Sequence, residues 1–408
     1  MHQCPFNQDR RRLLTAMLSG ASSVLWAPFL PASDAALLQS QGKLQDGIDG
    51  PWGRLRYYHF YLEAPEHLLR HFPPPGTKTR WIVPSSEKSR LETICAEAGL
   101  GDAAHGSLSN PRNTFSADGL HTIFPEPILL TEIQPAQRAV IYRFLARFPG
   151  NPYMANPVLF PAGNVDEWAQ DTGLGPHLIT LIKKLSYPYG NIIAFSDIPL
   201  LLSLCTSESE ARNFVKRLTR SRTVIARIEV TEDTDQGALL NYWSTGLGLR
   251  RKDIEPLILA AIRTDDVRML DILHLLPPLP RKLLYTYPDL GLAVEGRFPD
   301  CHWTSLNFFN YSPESIYLDD QLATSAILER FARVEPPYQF GDILIYMSAD
   351  QTAHHSCTYI AADLVFSKNG RNPLVPWTLT RLDELSDIYP TAHDEPLRIQ
   401  GFRARVST

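Results

Sequence analysis

The chain has 408 residues, and 39 lysines and arginines against 44 aspartates and glutamates give a formal net charge of −5 at pH 7. With 44% apolar and 20% charged residues, it can bury a sizeable core, which excludes intrinsic disorder, and it lacks the basic excess of a dedicated nucleic-acid binder. Five cysteines are too few to staple a chain of this length, so the fold rests on apolar cores, and the length predicts two or three domains.

In chain order, residues 1–35 read as an export signal. Arg10, Arg11 and Arg12 precede an uncharged, largely apolar stretch from Leu13 to Leu30, and Ala32, Ser33 and Ala35 offer a small-residue cleavage site. The run from Arg10 to Leu14 resembles a twin-arginine signal. An uncleaved anchor or an amphipathic helix is the alternative. No later stretch has the length and apolarity to span a bilayer.

Residues 53–64 have the aromatic enrichment of a strand, a helix is expected over 65–71, and 81–83 is a second short strand. Helices are expected over 86–98 and 134–148, the latter with Val140, Ile141, Phe144, Leu145 and Phe148 at helical spacing. The polar stretch 100–120 between them reads as a loop. Residues 176–219 read as mainly helical with a break at Pro188-Tyr189-Gly190, 223–230 alternate as a strand, and 252–276 suit one or two helices. Pro277, Pro278 and Pro280 then form a stiff boundary. Three regions follow: the signal 1–35, an α+β region 36–276 without a sharp chemical motif, and a C-terminal domain 277–408. Cys95 and Cys205, both in the middle region, could pair in an oxidising compartment.

The chemistry-bearing residues lie in the last region. Asp300 is a good cap for a short helix ending near Asn310, which places Cys301 in its first turn. Free amides and the dipole there favour a thiolate, and the same amides are suited to an oxyanion. Downstream, a glycine-initiated strand Gly341–Tyr346 leads through a polar turn to His354, His355 and a second strand, and Leu364–Gly370 forms a third. A histidine heading the middle strand of such a meander can face a cysteine on a helix packed over the sheet, while a polar group on the third strand orients it. Register favours His355 as the base, with His354 as the alternative. Cys357 shares the face of His355 and reads as a buried space-filler.

Cys301, His302, His354, His355 and Cys357 are zinc-type ligands, but neighbours in sequence diverge on a helix or strand, and zinc sites usually leave two to four residues between ligands. Neither metal nor cofactor is expected.

Asp300-Cys301, then Gly341-Asp342-Ile343-Leu344-Ile345-Tyr346, then His355 followed by Ser356-Cys357-Thr358-Tyr359-Ile360-Ala361, resembles the catalytic core of the NlpC/P60 family of papain-like cysteine peptidases. The resemblance covers roughly residues 283–390. It implies an α+β fold with a papain-like core, a helix packed on an antiparallel sheet. It also implies Cys301 as nucleophile and His355 as base. Family register puts the third member near Ser367. Asn369, two residues on along the same face, is preferred because its amide is better suited to orienting an imidazole. His302-Trp303 stands where the family has Ser-Gly, and Tyr287 is the nearest counterpart of its upstream oxyanion tyrosine.

The function expected is an exported, periplasmic or extracellular cysteine hydrolase acting on a cell-wall peptide or related amide, with peripheral association to the cell envelope. Two alternatives stay open: a silent binding or assembly module on the same fold, and an acyltransferase or lipid-amide hydrolase, which an apolar cleft would distinguish.

Overall fold

The computed structural model describes residues 44–405, apart from 70–77, 161–164, 245–249, 265–267, 295 and 390–396. The export segment expected at 1–35 lies outside the described residues. A two-residue strand β1 (Gln45–Asp46) precedes β2 (Arg54–Leu62), the aromatic strand foreseen in the sequence, and a single 3-10 turn follows at Glu66–Leu69. The partner of β2 arrives only after an insertion of some 150 residues.

That insertion builds its own core. It holds two small sheets, β3 (Trp81–Pro84) with β4 (Thr114–Ala117) and β5 (Leu120–Ile123), and β6 (Val158–Phe160) with β7 (Tyr187–Tyr189) and β8 (Ile192–Phe195). Longer helices cover them, among them α1 (Pro135–Leu145), α2 (Pro176–Leu185) and α3 (Glu208–Leu218). Proline opens α1 and α2, where its missing N–H costs nothing, and Ser207 caps α3 by accepting from the Glu210 amide at 3.1 Å. Trp81, Trp168, Phe160, Phe195 and Phe214 are fully buried between these elements. Two sequence expectations change here. The stretch 100–120 is a helix, Asp102–Ser109, followed by the start of a hairpin, and the helical run expected over 176–219 is interrupted by the β7–β8 hairpin. Asp118-Gly119 explains the first hairpin, since both residues take the positive φ its tight turn needs. Cys95 and Cys205 are both free thiols, so the pairing entertained from sequence does not occur.

After α3 the chain returns as β9 (Ser221–Glu229), antiparallel to β2 along nine paired residues, and β10 (Met269–Asp271) completes the sheet β1-β2-β9-β10. The short helix α4 (Cys301–Leu306) and α5 (Asp320–Arg330) follow. Then come β11 (Phe331–Val334), β12 (Ile343–Met347), β13 (Ala353–Ala361), β14 (Leu364–Lys368), β15 (Trp377–Arg381), α6 (Leu382–Ile388) and β16 (Arg398–Ala404). The strands form an antiparallel six-stranded sheet in the order β11-β16-β12-β13-β14-β15. The expected three-strand meander is therefore its centre. Gly341 enters β12 at φ +90°, with the Phe309 ring 2.3 Å from where a Cβ would stand, so only glycine lets β12 pass beneath the end of the α4 segment. Asp342 takes a two-pronged ion pair from Arg403 of β16, both bonds 2.7 Å.

The fold is mixed α+β. Its apolar division does not fall at Pro277. Leu55, Val224 and Ile228 share one core with Trp303, Phe308 and Trp377, while residues 81–218 enclose a second, and residues 44–408 cohere as one unit. Thr223 Oγ1 joins the β2–β9 sheet to the larger one by bonding the Leu379 carbonyl at 2.8 Å. Tyr285 Oη bonds the Val224 carbonyl of β9 at 2.7 Å, and Tyr242 Oη, on the helix Gln236–Trp243, bonds that of Ile360 in the larger sheet at 2.8 Å. Among the described residues no helix is long and apolar enough to cross a membrane.

Candidate active site

Cys301 opens α4 as expected. Asp300 Oδ1 accepts from the Trp303 amide at 2.9 Å, and its other oxygen pairs with Arg371 Nε at 3.1 Å. Arg371 also reaches Asp320, which ties α4, α5 and the β14–β15 turn together. Buried Trp377 donates through Nε1 to Thr304 Oγ1 at 2.9 Å and fixes the helix against β15. A helix of six residues has a small dipole, so side chains must do most of the work of holding a thiolate.

Two imidazoles do so. Burial by itself would raise the Cys301 thiol, but the charge of His355, hydrogen bonding to His302 and His355, and the charge of His302 bring it down to about 5. Burial would lower His302; the hydrogen bond and charge of Cys301, with Asp300 and Asp320 behind it, raise it to about 9. Both directions favour a thiolate at Cys301 beside a protonated His302.

The orientation of His355 follows from its neighbours. The imidazole is wholly buried, and its Nε2 lies 2.9 Å from Ser367 Oγ. The serine has one proton, and it goes to Asn369 Oδ1 at 3.2 Å. Ser367 therefore accepts from His355, so Nε2 carries a hydrogen and Nδ1 is the nitrogen left to exchange a proton. That Nδ1 is buried without a hydrogen-bond partner, while the charge and hydrogen bonding of His355 act on the Cys301 thiol. Tyr389 lies over the ring, centroids 4.3 Å apart and planes 21° from parallel, with its hydroxyl 3.4 Å from the same Asn369 oxygen.

The third position thus differs from the preference for Asn369: Ser367 touches the imidazole and Asn369 touches Ser367. The ladder explains why. Thr358 pairs with Phe366, and extending that register sets Ser367 across from Cys357 and Asn369 across from His355. The imidazole leans along the strand to its diagonal neighbour. His354 is exposed and bonds Ser348 Oγ at 3.1 Å, away from the thiol. Cys357 is fully buried, its thiol raised well above the ordinary range by burial and then by the charge of Cys301. The Tyr287 hydroxyl is buried without a partner, and burial followed by the charge of Glu63 raises its pKa. Among the described residues no contact brings it to Cys301.

No protein-family model, curated protein or solved structure matches the chain. The chemistry of the site therefore rests on its own geometry.

Four contributors escaped the sequence reading. His302 was visible only as a departure from the family pattern, although its adjacency to Cys301 was a usable signal. Arg371 and Tyr389 are distant in sequence from the residues they support. Lys368 is fully buried between Ser367 and Asn369. Its Nζ donates to the carbonyls of Gly370 at 2.6 Å and Asn372 at 3.1 Å and sits 5.9 Å over the Trp377 ring, pinning the turn that presents Asn369 and Arg371. Burial lowers this lysine to about 8, against the opposing pull of Asp300 and Cys301.

A cavity of 820 Å³ runs along this turn. Asn369, Arg371 and Tyr389 form part of one wall, and the 81–218 region supplies the facing one through Tyr153, Val158 and Leu159. Cys301 itself is 6% exposed.

Proposed function

We propose that the chain is a papain-like cysteine hydrolase of amide bonds. The reading rests on one observation: a buried cysteine at the head of a helix lies under the influence of two imidazoles, and Ser367 and Asn369 engage the Nε2 of His355 and leave its Nδ1 free. In the resting pair Cys301 has given its proton to imidazole. The thiolate attacks the substrate carbonyl carbon, forming a C–S bond and a tetrahedral oxyanion. Collapse expels the amine, which takes the proton from His355 Nδ1. Water then adds to the thioester as His355 accepts its proton, and the carboxylic acid leaves with the thiolate restored. The NlpC/P60 resemblance suggests a cell-wall peptide amide as substrate, and the 1–35 segment suggests the cell envelope as the place of action.

The test is an acyl-enzyme experiment with p-nitrophenyl acetate. The expected result is a burst of one p-nitrophenolate per chain and, after an acid quench, an acetyl group on Cys301 located by peptide mass mapping. Cys301→Ala removes both. Absence of the adduct from a folded wild-type chain would leave a binding module as the better reading.

A further inference from the structure

We propose that the cavity beside the active site takes a long, uncharged acyl chain, so that the amide cleaved is one in which an apolar acid acylates an amine. This rests on the cysteine-hydrolase reading and sets a long-chain acyl amide in place of the cell-wall peptide as its substrate.

Size, lining and charge support the proposal. At 820 Å³, the cavity falls in the roughly 300–1,000 Å³ range of small-molecule sites. Its walls are mostly apolar or aromatic: Val158 and Leu159 from edge strand β6, Tyr189 from β7, Leu374 and Val375 from the loop before β15, and Tyr389. Tyr389 belongs to both places, since one ring lines the cavity and stacks on His355. A chain lying here is separated from the imidazole only by the Tyr389 ring.

The charges point the same way. The lining holds three arginines, and no acidic residue, lysine or histidine, among the described residues. Each arginine has a carboxylate beside it, although Arg220 shares Glu63 with Arg217. Arg220 faces Glu63 at 3.4 Å, Arg222 faces Glu167 at 2.8 Å and Glu384 at 2.5 Å, and Arg371 faces Asp300 at 3.1 Å. A peptide bearing free carboxylates would have to compete with these ion pairs for the arginines, whereas an alkyl chain gains by burying its methylenes against the apolar walls.

The reaction balances as an ordinary acyl transfer to water. The Cys301 sulfur bonds the acyl carbon, the amine departs with the proton held on His355, and water releases the free acid.

The test is a chain-length series of N-acyl 7-amino-4-methylcoumarin amides with acetyl, octanoyl and dodecanoyl groups, beside a glutamyl-peptide coumarin amide. The expected result is a kcat/KM at least 100-fold higher for dodecanoyl than for acetyl, with the glutamyl peptide no better than acetyl. Val375→Asp, and independently Val158→Asp, should shrink the dodecanoyl-to-acetyl ratio at least tenfold. A flat series, a preference for the glutamyl peptide, or an unchanged ratio in both variants would overturn the acyl-chain proposal while leaving Cys301-dependent hydrolysis in place. If no amide turns over and no thioester forms on Cys301, the hydrolase reading fails. Calorimetric titration of N-dodecanoyl amide into Cys301→Ala still decides the cavity: saturable binding there, lost in the Val375→Asp double variant, supports the apolar site, and its absence refutes it.

Discussion

Two buried polar clusters, one in each core, show how the same physics yields a scaffold in one place and a reactive centre in another. In the 81–218 region, Arg138 and Asp197 are completely buried, joined at 2.7 Å, and Tyr142 donates to the same carboxylate at 2.5 Å. The terminal nitrogens of Arg138 also bond the carbonyls of Leu130 and Ile133, leaving only its Nε unpaired. Burial raises Asp197, and Arg138 draws it back. This cluster fastens α1 to the segment before Ile198 and has nothing left to offer a ligand. At Cys301, by contrast, the thiol is drawn down by two imidazoles that have few partners of their own. The Nδ1 atoms of His302 and His355 are buried without conventional partners, and the charge they stabilise is on a nucleophile. Near-complete satisfaction makes a brace; a larger shortfall around a polarisable sulfur makes a site.

That contrast can be broken from either side. The largest effect should come from Cys301→Ala, which removes the nucleophile and with it roughly 10³-fold or more of the turnover measured with the coumarin amides. Next, Arg138→Ala strands a buried carboxylate and should cost about 3–5 kcal/mol of stability, read as a lower urea midpoint. If it left the midpoint unchanged, the brace would be no brace.

Smaller effects sharpen the assignment within the site. His302→Gln removes a hydrogen-bonded charge beside the sulfur and should raise the Cys301 pKa by at least about one unit, equivalent to about 1.4 kcal/mol; a profile that does not move would leave His355 as the sole support. Ser367→Ala should lower kcat by about tenfold with little change in KM, since it frees the His355 ring rather than the substrate. Ser367→Thr, which keeps the hydroxyl, should recover most of the loss.

Much of this was legible in the sequence, for identifiable reasons. Asp300 announced a helix start and Gly341 a strand entry, because capping and positive φ restrict residue choice strongly. Alternation selected His355 over His354 because a strand sends neighbours to opposite faces. Ser367 against Asn369 was not decidable, since both share one face and only the lean of the imidazole separates them. The prolines at 277–280 marked a turn, not a boundary between cores, because β2 and β9 cross the chain to share the core of the C-terminal sheet. No local pattern encodes a pairing between strands so far apart. Tyr389 and Arg371 reach the site through tertiary packing alone.

The most direct measurement is the pH dependence of alkylation by iodoacetamide, followed residue by residue from pH 4 to 10. As pH rises through about 5, Cys301 loses its proton and its labelling rate should rise to a plateau, whereas burial keeps Cys95 near 12 and raises Cys357 and Cys205 as well. The account predicts selective labelling of Cys301 at pH 6 with a midpoint near 5. A Cys301 midpoint at 8 to 9, the range of an ordinary thiol, or labelling at pH 6 no faster than that of half-buried Cys205, would contradict it.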